Sequence, residues 1–186
     1  MKKFIFCLLV ISLVACAPTQ LLPPSETQST KEAAMSFEIS SPAFQNGESI
    51  LSKFSCDGED ISPALAWTEP PAGTQSFALI MDDPDAPMGT WVHWIIFNIP
   101  ASIRNLTEGT PTYPQLSDGS LQGKTSASSS GYHGPCPPSG THHYFFKLYA
   151  LDTLLSLSNK ADKKELLAAM EGHILANAEL MGTFKH

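Results

Sequence analysis

An apolar run, Phe4–Val14, broken only by Ser12, follows Lys2 and Lys3 at the head of the chain. Eleven residues are too few to cross a bilayer, which takes about 20, and suit the apolar centre of a secretory leader. From Ala17 to Ala34 polar residues and prolines dominate without an apolar period, which predicts a tether rather than a packed element. Periodic patterning starts near Phe37. Phe37–Ile39 predicts a short strand and Ile50–Phe54 a second. Phe77–Met81 is a compact apolar run, the mark of a buried strand. Trp91–Ile99 is apolar on both faces, with His93 and Asn98 as its polar interruptions, and predicts a central strand covered on both sides. His142–Leu151 alternates: His142, Tyr144, Phe146, Leu148 and Ala150 share one face, and His143, Phe145, Lys147, Tyr149 and Leu151 the other. Leu167, Met170, Ile174, Ala178 and Met181 recur at three- and four-residue steps, so Ala161–Met181 predicts a helix, weakened or divided at Gly172. Between Asn105 and Gly131 lies a long segment rich in Gly, Ser, Thr and Pro, a length at which loops are usually functional.

These elements describe a mainly β chain with a helical C-terminal part. Fifteen Pro and twelve Gly agree with a turn-rich fold. The 186 residues fit one domain, placed at residues 35–186, with no internal repeat. At 42% hydrophobic the chain can fill a core, which excludes collagen-like, coiled-coil and wholly disordered classes. A net charge of −7, without Lys/Arg clusters, argues against nucleic-acid binding and against electrostatic docking on anionic lipid.

The leader ends in Leu13-Val14-Ala15-Cys16, small residues before a cut and a cysteine after it. This resembles a bacterial lipobox. Residues 1–15 are then a lipoprotein signal peptide, Cys16 carries lipid on its sulfur and amine, and residues 16–34 tether the domain to the membrane. The competing reading is a plain secreted protein whose cut happens to precede a cysteine. The expected place is the bacterial cell envelope. Ala17 rather than Asp after the cysteine favours the outer membrane over the inner.

Three polar clusters abut the apolar strands. Asp82-Asp83-Pro84-Asp85-Ala86-Pro87 follows the Phe77–Met81 run, His93 lies inside Trp91–Ile99, and Gly131–Tyr144 is a Gly/Pro-rich loop running into a strand. Such loops beside strand ends are where small-molecule sites form. Each cluster also has a plain structural reading. Asp beside Pro makes turns, a lone His in an apolar strand is most often a satisfied core residue, and Gly/Pro loops usually only turn the chain.

The ordered set DPDAP, W-V-H-W and GPCPPSGTHHY resembles the phosphatidylethanolamine-binding protein (PEBP) family, most closely its bacterial Raf-kinase-inhibitor-like branch. Cys56–Pro63 with Leu65 and Trp67, and Met170–Ala176, extend the likeness to nearly all of residues 37–184. The resemblance implies a PEBP-like β-sandwich with a few short helices and a pocket for a small anionic or phosphorylated ligand, of the phospholipid-headgroup class. It assigns Asp83 and Asp85 as the acidic pocket residues, His93 as the pocket histidine, and His142 and Tyr144 as the His and Tyr of the H-R-Y motif. Gly134–Pro138, with Gly134, Pro135 and Pro137 as ligand-facing positions, form the rim. Two departures stand out. His143 occupies the family's usual Arg position, on the face opposite His142, and Thr125–Ser130 replaces a more distinctive stretch before the rim. The family also often carries a cis bond near DPDxP, for which Ala86–Pro87 is the candidate.

An anion beside two ionised carboxylates would be repelled. Binding therefore needs a proton on one Asp or on a histidine, and affinity is expected to rise as pH falls. The same side chains would suit a divalent cation, although no Cys or His pair has short zinc spacing. The alternative reading is a protein-interaction or inhibitor module acting through the rim, and a further alternative is a metal-dependent enzyme. Ser139 lies near His142 without a G-x-S-x-G elbow, and Ser129-Ser130 has no assigned base, so the chain is not read as an enzyme and no cofactor is expected. With Cys7 in the leader and Cys16 lipidated, Cys56 and Cys136 remain. An oxidising compartment favours a disulfide over two free thiols.

Overall fold

The computed structural model describes residues 36–186. The predicted leader, Cys16 and the tether lie outside the described residues. Two antiparallel sheets form the body. The smaller runs β1 (Ile39–Ser40), β2 (Leu65–Trp67) and β5 (Asn105–Leu106), in that order. The larger is ordered β6 (Leu121–Gln122), β4 (Trp91–Pro100), β3 (Ser76–Asp83), β7 (Thr141–Leu151), β8 (Ile174–Lys185).

Every residue of β3 is buried, because each of its faces meets a separate core. Phe77, Leu79 and Met81 join Trp94, Ile96, Phe146, Leu148 and Leu180, and this layer packs on Ile39, Leu65, Trp67 and Leu106 of the smaller sheet. Ala78 and Ile80 face the other way, with Ile95, Phe97 and the Leu166 and Met170 side chains of helix α1 (Lys163–Met170). The expected mainly β sandwich and short C-terminal helix are present. Asp82 ends the second face. It is buried and accepts hydrogen bonds from Lys147 Nζ at 2.8 Å and from Lys163 Nζ, which ties the sheet to α1.

Three expectations are corrected. The helix over Ala161–Met181 stops at Met170, and Ile174–Lys185 is the longest strand among the described residues. Asp162 and Glu165 close a capping box at the helix start, and Gly172 at φ +80° turns the chain out of it. Beyond it Ala178, Leu180, Gly182 and Phe184 are buried in period two against β7. The helical spacing of Ile174, Ala178 and Met181 is coincidental. Ile50–Phe54 is not a strand: Ile50 donates its N–H to Thr183 O at 2.7 Å, and Ser52–Phe54 then winds into a 3₁₀ turn. The Ala86–Pro87 bond is trans, and no cis peptide occurs among the described residues.

Candidate ligand-binding site

Where β3, β4 and β7 end beside the Gly131–Gly140 loop, a cavity of about 330 Å³ opens. Asp83, His93, His142, Gly134 and Pro137 line it, with Asp60, Trp91, His133 and Cys136. Five of the eight ligand positions assigned from sequence thus share one cavity.

Asp83 is the last residue of β3 and points to the inter-sheet side, opposite Asp82. Its two oxygens have different partners. Oδ2 lies 2.7 Å from His142 Nδ1, and Oδ1 accepts the Asp85 N–H at 2.8 Å. The second bond is an Asx turn, so the Asp-Pro cluster turns the chain while Asp83 also lines the cavity. His142 reaches this place because β7 alternates, carrying His142, Tyr144 and Phe146 on one buried face.

His93 reaches it through an irregularity. The β3–β4 register passes from Met81↔Trp94 to Asp82↔Val92, which leaves His93 as an extra residue on β4. Strict alternation would send His93 to the face opposite Trp94. The bulge instead turns it toward the cavity, edge-on to Tyr144 at 5.2 Å between ring centroids. Its Nδ1–H donates to His133 O at 2.8 Å, and His133 N–H donates back to His93 O at 3.1 Å. Burial pushes the His93 imidazole below its ordinary value, against the opposite pull of the His133 carbonyl and of Asp83.

Both histidines therefore share one logic. Each Nδ1 faces an acceptor and carries the hydrogen, so each Nε2 is a bare lone pair while the ring is neutral. Protonation converts each Nε2 into a donor.

The rim loop is held at several points. Cys136 is disulfide-bonded to Cys56, and Cys56 N–H donates to Pro135 O at 3.1 Å. Tyr132 donates its hydroxyl to Phe54 O at 2.6 Å, and Gly134 N–H donates to Asp60 Oδ1 at 2.6 Å. Gly134 is required by close approach: a Cβ there would sit 2.3 Å from Phe54 O and 2.7 Å from Asp60 Oδ1.

The other three assigned residues stand apart. Asp85 is not in the lining. His143 holds its carboxylate at the surface, Nδ1 and N–H both on Oδ2, at 2.7 and 2.9 Å. These bonds, the side-chain one first, keep the Asp85 carboxyl below its ordinary pKa. Pro135 is buried and acts through its carbonyl. Tyr144 stands behind His93. Its buried hydroxyl has no hydrogen-bond partner among the described residues, and burial pushes its pKa up. With Asp85 drawn away, no group of three or more His, Cys, Asp or Glu among the described residues is arranged to hold a metal ion. Asp60 and His133 were not assigned from sequence. Asp60 sits at φ +54°, a backbone region Asp tolerates better than most residues, and no local pattern announces its bond to Gly134.

The profile of the phosphatidylethanolamine-binding protein family matches residues 40–185. A UPF0098 protein of Methanothermobacter thermautotrophicus is 52% identical over 143 residues, covering 77% of this chain and 95% of its own. One from Aquifex aeolicus is 47% identical over 151 residues, covering 80% and 88%. Among solved structures, the PEBP homolog CT736 of Chlamydia trachomatis superposes with a TM-score of 0.75 at 41% identity, covering 81% of this chain and 97% of that one. YbcL of E. coli, titled a new member of the mammalian PEBP family, gives 0.75 at 31% identity, covering 81% and 98%. Sheets, cavity and matching profile agree, and the chain belongs to the phosphatidylethanolamine-binding protein family.

Proposed function

We propose that this protein binds a small anionic ligand, a phosphate or phosphorylated headgroup, in the cavity beside His93 and His142, and does so in the bacterial cell envelope. Its membership of the PEBP family supports small-ligand binding in general. The observation that favours an anion is the pair of buried imidazoles whose Nδ1 hydrogens are already committed to His133 O and Asp83. An arriving anion stabilises the protonated rings, and each ring then offers an Nε2–H at short range. Asp83 offsets part of the added positive charge at His142, and the half-enclosed site weakens solvent screening. Binding in this scheme takes up protons. Titration calorimetry with inorganic phosphate near pH 7, in two buffers of different ionisation enthalpy, should give net proton uptake, lost in Asp83→Asn. Heat without buffer dependence would contradict the scheme.

The envelope reading rests on Leu13-Val14-Ala15-Cys16 behind an apolar run. Growth with an alkyne-tagged fatty acid should label the protein, and Cys16→Ala should abolish the label and release the domain from membranes. A second reading, a protein-binding rim, is favoured by one feature. Met88 is 97% exposed three residues before Trp91, the first residue of β4, itself 39% exposed and lining the cavity. A partner retained by His142→Ala but lost by Met88→Ser with Trp91→Ser would support it.

A further inference from the structure

Ser129 Oγ lies 2.6 Å from His133 Nε2. The base that the sequence does not assign to Ser129 is thus supplied four residues downstream, by a ring that lines the ligand cavity on its other side. Both members are held by their backbones. Ser129 O accepts Thr125 N–H at 2.9 Å and the hydroxyl of buried Thr125 at 3.0 Å. His133 is fixed to β4 through the two backbone bonds with His93. The preceding residue, Ser128, sits at φ +62°, an uncommon region for a non-glycine residue and one that strained functional turns use.

Ser129 lines a cleft of about 260 Å³, distinct from the ligand cavity, with Lys124, Lys160 and Asn159. The Lys124 backbone is held by its N–H, which donates to Ala161 O at 2.8 Å, and at the neighbouring Gly123 a Cβ would meet that same oxygen at 2.5 Å. Lys124 and Lys160 form no ion pair among the described residues; the lysines that do are Lys53, Lys147 and Lys163. In a chain of net charge −7, two uncompensated ammonium groups beside a base-paired hydroxyl define a chemistry.

We propose that Ser129 and His133 form a nucleophile–base dyad that cleaves small carboxylic esters bearing a second, anionic group, which Lys124 and Lys160 bind. Ser129 Oγ attacks the carbonyl carbon and passes its proton to His133 Nε2. The C–O bond to the alcohol breaks, and the leaving alkoxide takes that proton. Water, deprotonated by His133, then hydrolyses the Ser129 ester, the serine oxygen recovers the proton, and the acid leaves. The ammonium groups favour the oxyanion as it forms.

The test uses the full chain in detergent. An alkyl fluorophosphonate should label Ser129, displacing fluoride, as located by peptide mass. Hydrolysis of p-nitrophenyl succinate should fall at least about 10²-fold in Ser129→Ala and in His133→Ala, as loss of base-assisted attack requires. Lys124→Ala with Lys160→Ala should raise KM for the succinate ester by a larger factor than KM for the neutral p-nitrophenyl acetate. Both serine and histidine variants should keep the wild-type unfolding midpoint, since Ser129 is exposed and the bonds of His133 to His93 are made by its backbone. Absence of label on Ser129 in folded protein, or equal hydrolysis by Ser129→Ala, would overturn the proposal. Phosphate binding in the cavity would be untouched by either result, so the two proposals fail separately.

Discussion

His143 donates both its Nδ1–H and its backbone N–H to one oxygen of Asp85, Oδ2, at 2.7 and 2.9 Å. That pairing separates two carboxylates that stand two residues apart in sequence. Asp83 stays in the cavity with His142, and Asp85 is held at the surface. Asp83→Asn should therefore remove most phosphate affinity, whereas Asp85→Asn should change it less than about threefold, since exposed charge pairs are weak and screened. Calorimetric titration of both variants checks this. Equal losses would place Asp85 in the site.

His93 should make the protein sensitive to mild acid. Burial keeps its folded imidazole below the ordinary 6.5. Below that pH the unfolded chain takes up a proton that the folded chain refuses. The contribution of His93 to stability is thus complete above about 6.5 and is lost as pH falls through the lowered folded value. His93→Asn keeps a donor for His133 O and removes the titration. Its unfolding midpoint should fall less steeply than wild type between pH 7 and pH 5. An unchanged slope would contradict the assignment.

Asp82 faces α1 rather than the cavity, with its side chain 1% exposed and two lysines on it. Asp82→Ala leaves both ammonium groups partly buried without a partner. The expected loss is about 2–4 kcal/mol, toward the low side of what broken buried pairs cost, because Lys147 and Lys163 retain some solvent. Phosphate affinity measured well below the midpoint should stay at the wild-type value. Chemical denaturation and calorimetry on the same sample separate the two effects.

Much of this was readable in the sequence, and the failures have physical causes. The alternation of His142–Leu151 places His142 and Tyr144 on one face, because a strand with one face on a core must alternate. The position of His93 was not readable. It depends on a bulge defined by pairing with β3, and nothing local to Trp91–Ile99 marks the extra residue. The spacing of Ile174 and Met181 predicts a helix over β8 because the buried face of that strand uses Ala178 and Gly182, whose apolar signal is weak. The Asp85–His143 and Gly134–Asp60 bonds join residues 58 and 74 apart. They follow from the way the sheets stack rather than from any spacing along the chain.

The central claim is an anion site at His93 and His142 whose occupation brings protons with it. Thermal unfolding with and without millimolar phosphate or phosphoethanolamine, at pH 5.5 and at pH 7.5, tests it most directly. A ligand that binds only the folded state raises the midpoint. The account expects a rise that is larger at pH 5.5 and absent in His142→Ala at both values. A rise that is equal at the two pH values, larger at 7.5, or retained in His142→Ala would contradict it.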